Sequence, residues 1–170
     1  MNRYDAYDGA PFSDETTGGA VHYLDLAVPQ LWLPRYDWVI CLEVVEHVPV
    51  EFESIVLDNV VRPATVGIVL SWAVPTQPGA MHVNPRSPAY VEEELSRRGL
   101  TLDADATRRL RNGSELSWFQ QNTVVYRKTP PPSRRGRQDN RPSAKQLYND
   151  MKILRELFIK YNFTKPGTVF

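Results

Sequence analysis

Two unbroken apolar runs organise the middle of this chain. Residues 38–42, Trp-Val-Ile-Cys-Leu, show no alternation of polar and apolar positions, which reads as a strand covered on both faces of a parallel sheet. Glu43 follows at the carboxyl end, the place where open α/β sheets hold their ligands. Residues 66–72 form a second run of the same kind, and residues 51–61 between the two predict a helix. Residues 90–98 predict another helix, ended by Arg97 and Arg98 in its last turn and by Gly99 after it. Residues 102–110 and 123–127 are expected as closing strands. This alternation of strand and helix predicts an α/β fold around a mostly parallel sheet.

The amino-terminal part carries shorter signals. Val21-His22-Tyr23-Leu24-Asp25-Leu26 reads as a short strand that runs into an acid. Tyr7-Asp8-Gly9-Ala10-Pro11 reads either as a strand end bearing a ligand-binding carboxylate or as an ordinary turn, since Asp-Gly-x-Pro is strong turn chemistry. Gly18-Gly19 is a flexible turn with no helix pattern after it.

Charge changes the picture at the other end. The formal net charge is zero, yet residues 1–129 sum to −6 and residues 130–170 to +6. The shift coincides with Pro130-Pro131-Pro132-Ser133-Arg134-Arg135-Gly136-Arg137, a composition that favours an extended, solvated linker over residues 130–142. Ser143 with Gln146 then opens a helical pattern as a capping box. Leu147, Met151, Leu154, Phe158 and Tyr161 fall on one face of it. Such a stripe in the 143–161 helix needs cover, from the parent domain or from a protein partner. Nucleic acid is not expected as a partner, because arginines in a proline-rich linker are more often solvated than specific.

The run from Tyr36 to Pro49, with Glu43, Glu46 and His47 behind its strand, resembles the fourth strand and following loop of a class I S-adenosylmethionine-dependent methyltransferase. The segments around Asp8 and Asp25 fall in the same order as that family's second and third strands. The resemblance implies a Rossmann-like sheet with an antiparallel closing strand. It further implies S-adenosylmethionine as cofactor: Asp8 and Gly9 at the ribose, Asp25 and the Leu26 amide at the adenine, and Glu43 lining the cleft. It covers residues 1–129, a partial methyltransferase domain, because no first strand and no glycine-rich loop precede Tyr4. The chain is therefore expected to be a fragment that binds the cofactor weakly or not at all by itself. A non-catalytic relative using its basic tail as an interaction arm is the alternative.

Methyl transfer from a sulfonium asks the protein mainly for alignment and, where the acceptor carries a proton, for a base. His47 is the first candidate, since an imidazole is ordinarily available as a neutral base at about pH 7. His82 and Asn84, in the segment after residues 66–72, are candidates for orienting the acceptor, whose identity the sequence leaves open. His22, His47 and His82 share no element at ligand spacing, so no metal site is expected. Cys41, the single cysteine, reads as a small core hydrophobe. It excludes an intrachain disulfide and favours a cytoplasmic setting. No apolar run reaches transmembrane length.

Overall fold

The computed structural model describes residues 4–129, and the expected linker and tail helix at 130–170 lie outside the described residues. Two sets of strands build it. Strands β1 (Tyr7–Asp8) and β2 (His22–Tyr23) form a short parallel pair. Strands β3 (Tyr36–Cys41), β4 (Ala64–Leu70), β5 (Leu100–Leu102) and β6 (Val124–Lys128) form a second sheet in the order β3-β4-β6-β5. β3 pairs parallel with β4, and β6 runs antiparallel to both β4 and β5. Three strands thus share one direction, and β6, the last in sequence, inserts against it. The architecture is the expected mixed α/β sheet with an antiparallel closing strand.

Among the described residues, β3 has one strand neighbour, β4. The expectation that residues 38–42 are covered on both faces is therefore corrected. Ile40 is 68% exposed and Trp38 37%, while Cys41 is buried. The apolar run reports a strand suited to the middle of a sheet, but here it stands at an edge. It borders a groove of about 1200 Å³ whose other wall is formed by residues 4–8 of the β1 side. The two walls meet where the Tyr36 hydroxyl lies 3.1 Å from that of Tyr7 and donates to Asp5 Oδ2 at 2.7 Å.

Helices α2 (Glu53–Val61) and α3 (Pro88–Arg97) cover the sheet. Val56, Leu57, Val60, Val61, Val91 and Leu95 pack on Ile68, Leu70, Leu100 and Tyr126 to form the core. The helix expected over 51–61 starts two residues later, after a 3-10 turn at Val50–Phe52. α3 starts at Pro88 because the Ser87 hydroxyl accepts the Tyr90 N–H and proline suits the first turn. Gly99 follows at φ +76, the left-handed stop its sequence position predicts.

The strand expected over 102–110 is a correction. β5 ends at Leu102, and Asp103 then caps helix α4 (Ala104–Gly113), its carboxylate accepting the Ala106 N–H at 2.9 Å. The run Ala104 to Arg111 is rich in helix formers, and that local chemistry outweighs the β pattern read across the boundary. The strand expected over 66–72 lies at 64–70 instead, and the one over 21–26 shrinks to β2. Two short helices, α1 (Ser13–Thr16) and α5 (Ser117–Asn122), had no sequence expectation. No helix among the described residues is long and apolar enough to cross a membrane.

Candidate functional site

Residues at the end of β1, after β2 and at the end of β3 all contribute to the lining of one groove. Asp8 ends β1, and its Oδ1 accepts the Ala10 N–H at 2.7 Å, so the segment both closes a strand and makes a turn. Asp8 remains exposed and lines the groove together with Leu26, Leu42 and Val44. Gly9, Asp25 and Glu43 flank these lining residues in sequence without lining the groove themselves. Asp25 folds its Oδ1 onto the Ala27 N–H at 2.8 Å.

The segment bearing Asp25 and Leu26 is held by two buried side chains, Gln30, whose Nε2 donates to the Asp25 carbonyl at 2.5 Å, and Asn59. Asn59 of α2, 2% exposed, donates from Nδ2 to the carbonyls of Leu26 and Val28 at 2.9 and 2.7 Å. Its Oδ1 accepts the Gln30 N–H at 2.8 Å and Arg62 Nη2 at 3.0 Å. An asparagine inside a helix otherwise competes with the backbone, and here it serves a loop that has no ladder of its own.

Glu43 sits at φ +53, a left-handed conformation that costs a non-glycine residue about 1–2 kcal/mol. The turn is held by its N–H, which donates to Ser71 Oγ at 2.8 Å. Its carboxylate accepts from Gln77 Nε2 at 3.0 Å and from Asn122 Nδ2 at 2.8 Å. Gln77 and Asn122 were missed by sequence reading, since an amide in a proline-rich loop and one at a helix end carry no motif.

Past Glu43 the chain makes a 3-10 turn, Val45–His47. Glu46 is fully buried there, its Oε1 accepting the Ala73 N–H at 3.3 Å while Oε2 has no partner. Burial, and after it the neighbouring Glu43 carboxylate, push the Glu46 carboxyl above its ordinary range. The Glu46 carbonyl accepts the N–H groups of Val83 and Asn84, both at 2.9 Å, which stitches the turn to the loop after β4. His47 is exposed, with Nδ1 3.2 Å from the Met81 carbonyl, and its ring lies 5.1 Å from that of His82 at 68°. His82 packs so closely over Gly79 that a Cβ there would stand 2.1 Å from the ring.

The candidate acceptor residues thus separate. His47 and His82 come together at the surface, whereas Asn84 is 3% exposed and its Nδ2 donates to Glu53 Oε2 at 2.9 Å. Glu53 also accepts from Arg86 Nε at 2.8 Å and from the Tyr90 hydroxyl, so it anchors the whole loop. His22 stands apart and meets Asp14 Oδ1 at 2.8 Å. The Cys41 thiol is pushed up to about 12, first by burial and then by Glu46.

No family model and no curated protein matches the chain. Solved structures with a partial likeness include magnesium protoporphyrin IX methyltransferase (ChlM) from Synechocystis PCC 6803 with bound SAH. It is 22% identical at a TM-score of 0.47, over 64% of this chain and 51% of that one. LepI in complex with SAM is 13% identical at 0.49, over 76% and 37% of the two chains. NcsB1, an O-methyltransferase from neocarzinostatin biosynthesis, is 16% identical at 0.43, over 70% and 37%. The chain spans about half the length of the first of these and less of the others. Likeness at this level decides no activity, and the functional reading rests on the chain's own residues.

Proposed function

We propose that residues 4–129 form the ribose and adenine side of an S-adenosylmethionine-dependent methyltransferase. The observation that carries the reading is the groove between β1 and β3. It runs along the whole open edge of β3, and its carboxyl end is lined by Leu42 and Val44 on the β3 side and by Asp8 and Leu26 on the other. Open α/β sheets bind their ligands at that position. A carboxylate at Asp8 offers two acceptor oxygens to a pair of ribose hydroxyls, and the Leu26 segment offers backbone donors and acceptors to a purine edge.

The acceptor side is the surface after β3 and β4, where His47 stands exposed beside His82. His47 is the residue proposed to orient the acceptor or take its proton. The cofactor supplies the activated methyl group, and the protein supplies alignment and exclusion of water. With one wall of the cleft formed by a sheet edge, affinity for the cofactor is low.

Backbone amide chemical shifts of the 15N-labelled protein, titrated with S-adenosylhomocysteine to millimolar concentration, test the reading because they register weak binding. Shifts clustered at Asp8, Gly9, Asp25, Leu26 and Glu43, lost in Asp8→Ala, are expected. No perturbation there, or an equal response to NAD, would overturn it.

A further inference from the structure

We propose that Glu46, His47 and His82 hold one divalent first-row transition-metal ion, of the zinc class, with a coordination position left open to water or an oxygen-bearing ligand. The three side chains come from two separate segments, the 3-10 turn after β3 and the loop after β4. Each offers a ligand atom, and these atoms all lie within 4.8 Å of one another. Tetrahedral ligands about 2.0–2.2 Å from a zinc ion stand roughly 3.3–3.5 Å apart, so side-chain rotations of about an ångström close the site.

Two further observations point to a ligand. Glu46 Oε2 and His82 Nδ1 are both buried and have no hydrogen-bond partner. A buried polar atom left without a partner is destabilising, and Glu46 is fully buried. A cation bound between them answers both. The second observation is the tautomer of His47. Its Nδ1 faces the Met81 carbonyl, which can only accept, so Nδ1 carries the proton and Nε2 presents its lone pair. A histidine whose other ring nitrogen donates to a backbone carbonyl is the usual state of a metal-bound imidazole.

The donor set decides the kind of ion. Two imidazoles and one carboxylate suit zinc, iron, nickel or copper and are a poor match to magnesium or calcium, which prefer all-oxygen shells. Three protein ligands leave a position free, as in catalytic rather than structural zinc sites. No thiolate competes, because Cys41 is the only cysteine and keeps its proton. The nitrogen-bearing edge of the His82 ring lies against Gly79, where a Cβ would stand 2.1–2.6 Å from it, so the ring's placement depends on that glycine. Binding of the ion alone reads the site; with Nε2 on the ion and Nδ1 on the Met81 carbonyl, His47 serves to position the acceptor and not to take its proton.

The chelator-treated 170-residue protein is titrated with zinc by calorimetry and with cobalt by visible absorption. One ion per chain is expected, with cobalt d–d bands of low coordination number that zinc abolishes. His82→Ala is expected to weaken zinc binding by at least about 100-fold, the upper end of what outer-sphere losses produce. Gly79→Ala, which displaces the ring without removing a ligand, is expected to weaken it by a smaller factor. His22→Ala leaves it unchanged. If His82→Ala fails to fold by circular dichroism, Gly79→Ala and the cobalt spectrum carry the test. Absence of stoichiometric binding, binding that survives Gly79→Ala and His82→Ala undiminished, or loss of binding in His22→Ala would overturn the proposal.

Discussion

Asn59→Ala probes how the proposed adenine wall is held. The substitution removes four hydrogen bonds at once, to the carbonyls of Leu26 and Val28, the Gln30 N–H and the Arg62 guanidinium. The two carbonyls are part-buried, and water takes over part of their bonding, so each loss costs about 0.5–1 kcal/mol. The Gln30 N–H is buried and costs about 1–2 kcal/mol when left alone. The Arg62 bond adds little, because the same nitrogen also donates to the Gln30 carbonyl at 3.0 Å. The expected loss is about 2–4 kcal/mol. With a urea m-value of about 2 kcal/mol/M, the midpoint falls by roughly 1–2 M, read by tryptophan fluorescence. Asn59→Asp separates the two sides of the amide. It keeps the acceptors and deletes the donors, so it is expected to be no more stable than the alanine variant. The amide shifts of Asp25 and Leu26 are expected to move in both variants. A midpoint shift under about 0.3 M would refute the assignment of this loop's order to Asn59.

Other changes act elsewhere in the fold. Gly67→Ala places a Cβ 2.3 Å from the Tyr126 carbonyl and 2.7 Å from the Trp38 ring, so the β4–β6 ladder must part. A loss of more than about 2 kcal/mol in the urea midpoint analysis is expected, and a wild-type midpoint would show that the strands have room. Glu53→Gln leaves the packing volume intact but removes the charge that Arg86 and Asn84 share, and its cost is set at about 1–3 kcal/mol. Faster amide exchange over residues 74–87 checks it. For Cys41 the sign follows from a thiol pushed up by burial to about 12 from an ordinary value of 9.0. Its contribution to stability is complete below the unfolded value and is lost as pH rises from there through about 12. Native protein at about pH 8 should react with a thiol reagent only at its unfolding rate; prompt stoichiometric reaction would contradict the burial.

The elements with a single clear period were legible in the sequence. α2 and α3 carry their stop and start signals locally, and β4 and β6 were found within two residues. Residues 102–110 misled because Leu102 and Leu110 bracket a helix whose start depends on one capping carboxylate, Asp103. The apolar run of β3 was read correctly as a strand and wrongly as one covered on both faces, since composition reports what a strand suits and not what lies over it. Of the candidate residues named from the resemblance, Asp8 and Leu26 line the groove and Gly9, Asp25 and Glu43 do not. The approach of Glu46, His47 and His82 was not legible, because the pairing depends on backbone bonds from Glu46 to residues 83 and 84 that no local pattern encodes.

The open side of β3 has a consequence for how the polypeptide behaves in solution. A strand that has no neighbour on one side among the described residues, and that carries an exposed Ile40, is a template for another chain. Natural edges are usually guarded by lysine, proline or a bulge; β3 has one irregularity, between Tyr36 and Trp38, and one charge, Asp37. Sedimentation should therefore show self-association that grows with concentration and is relieved by Ile40→Lys, while a strictly monomeric profile would mean the edge is shielded. Handling at low concentration then becomes a condition for measuring anything else about this molecule.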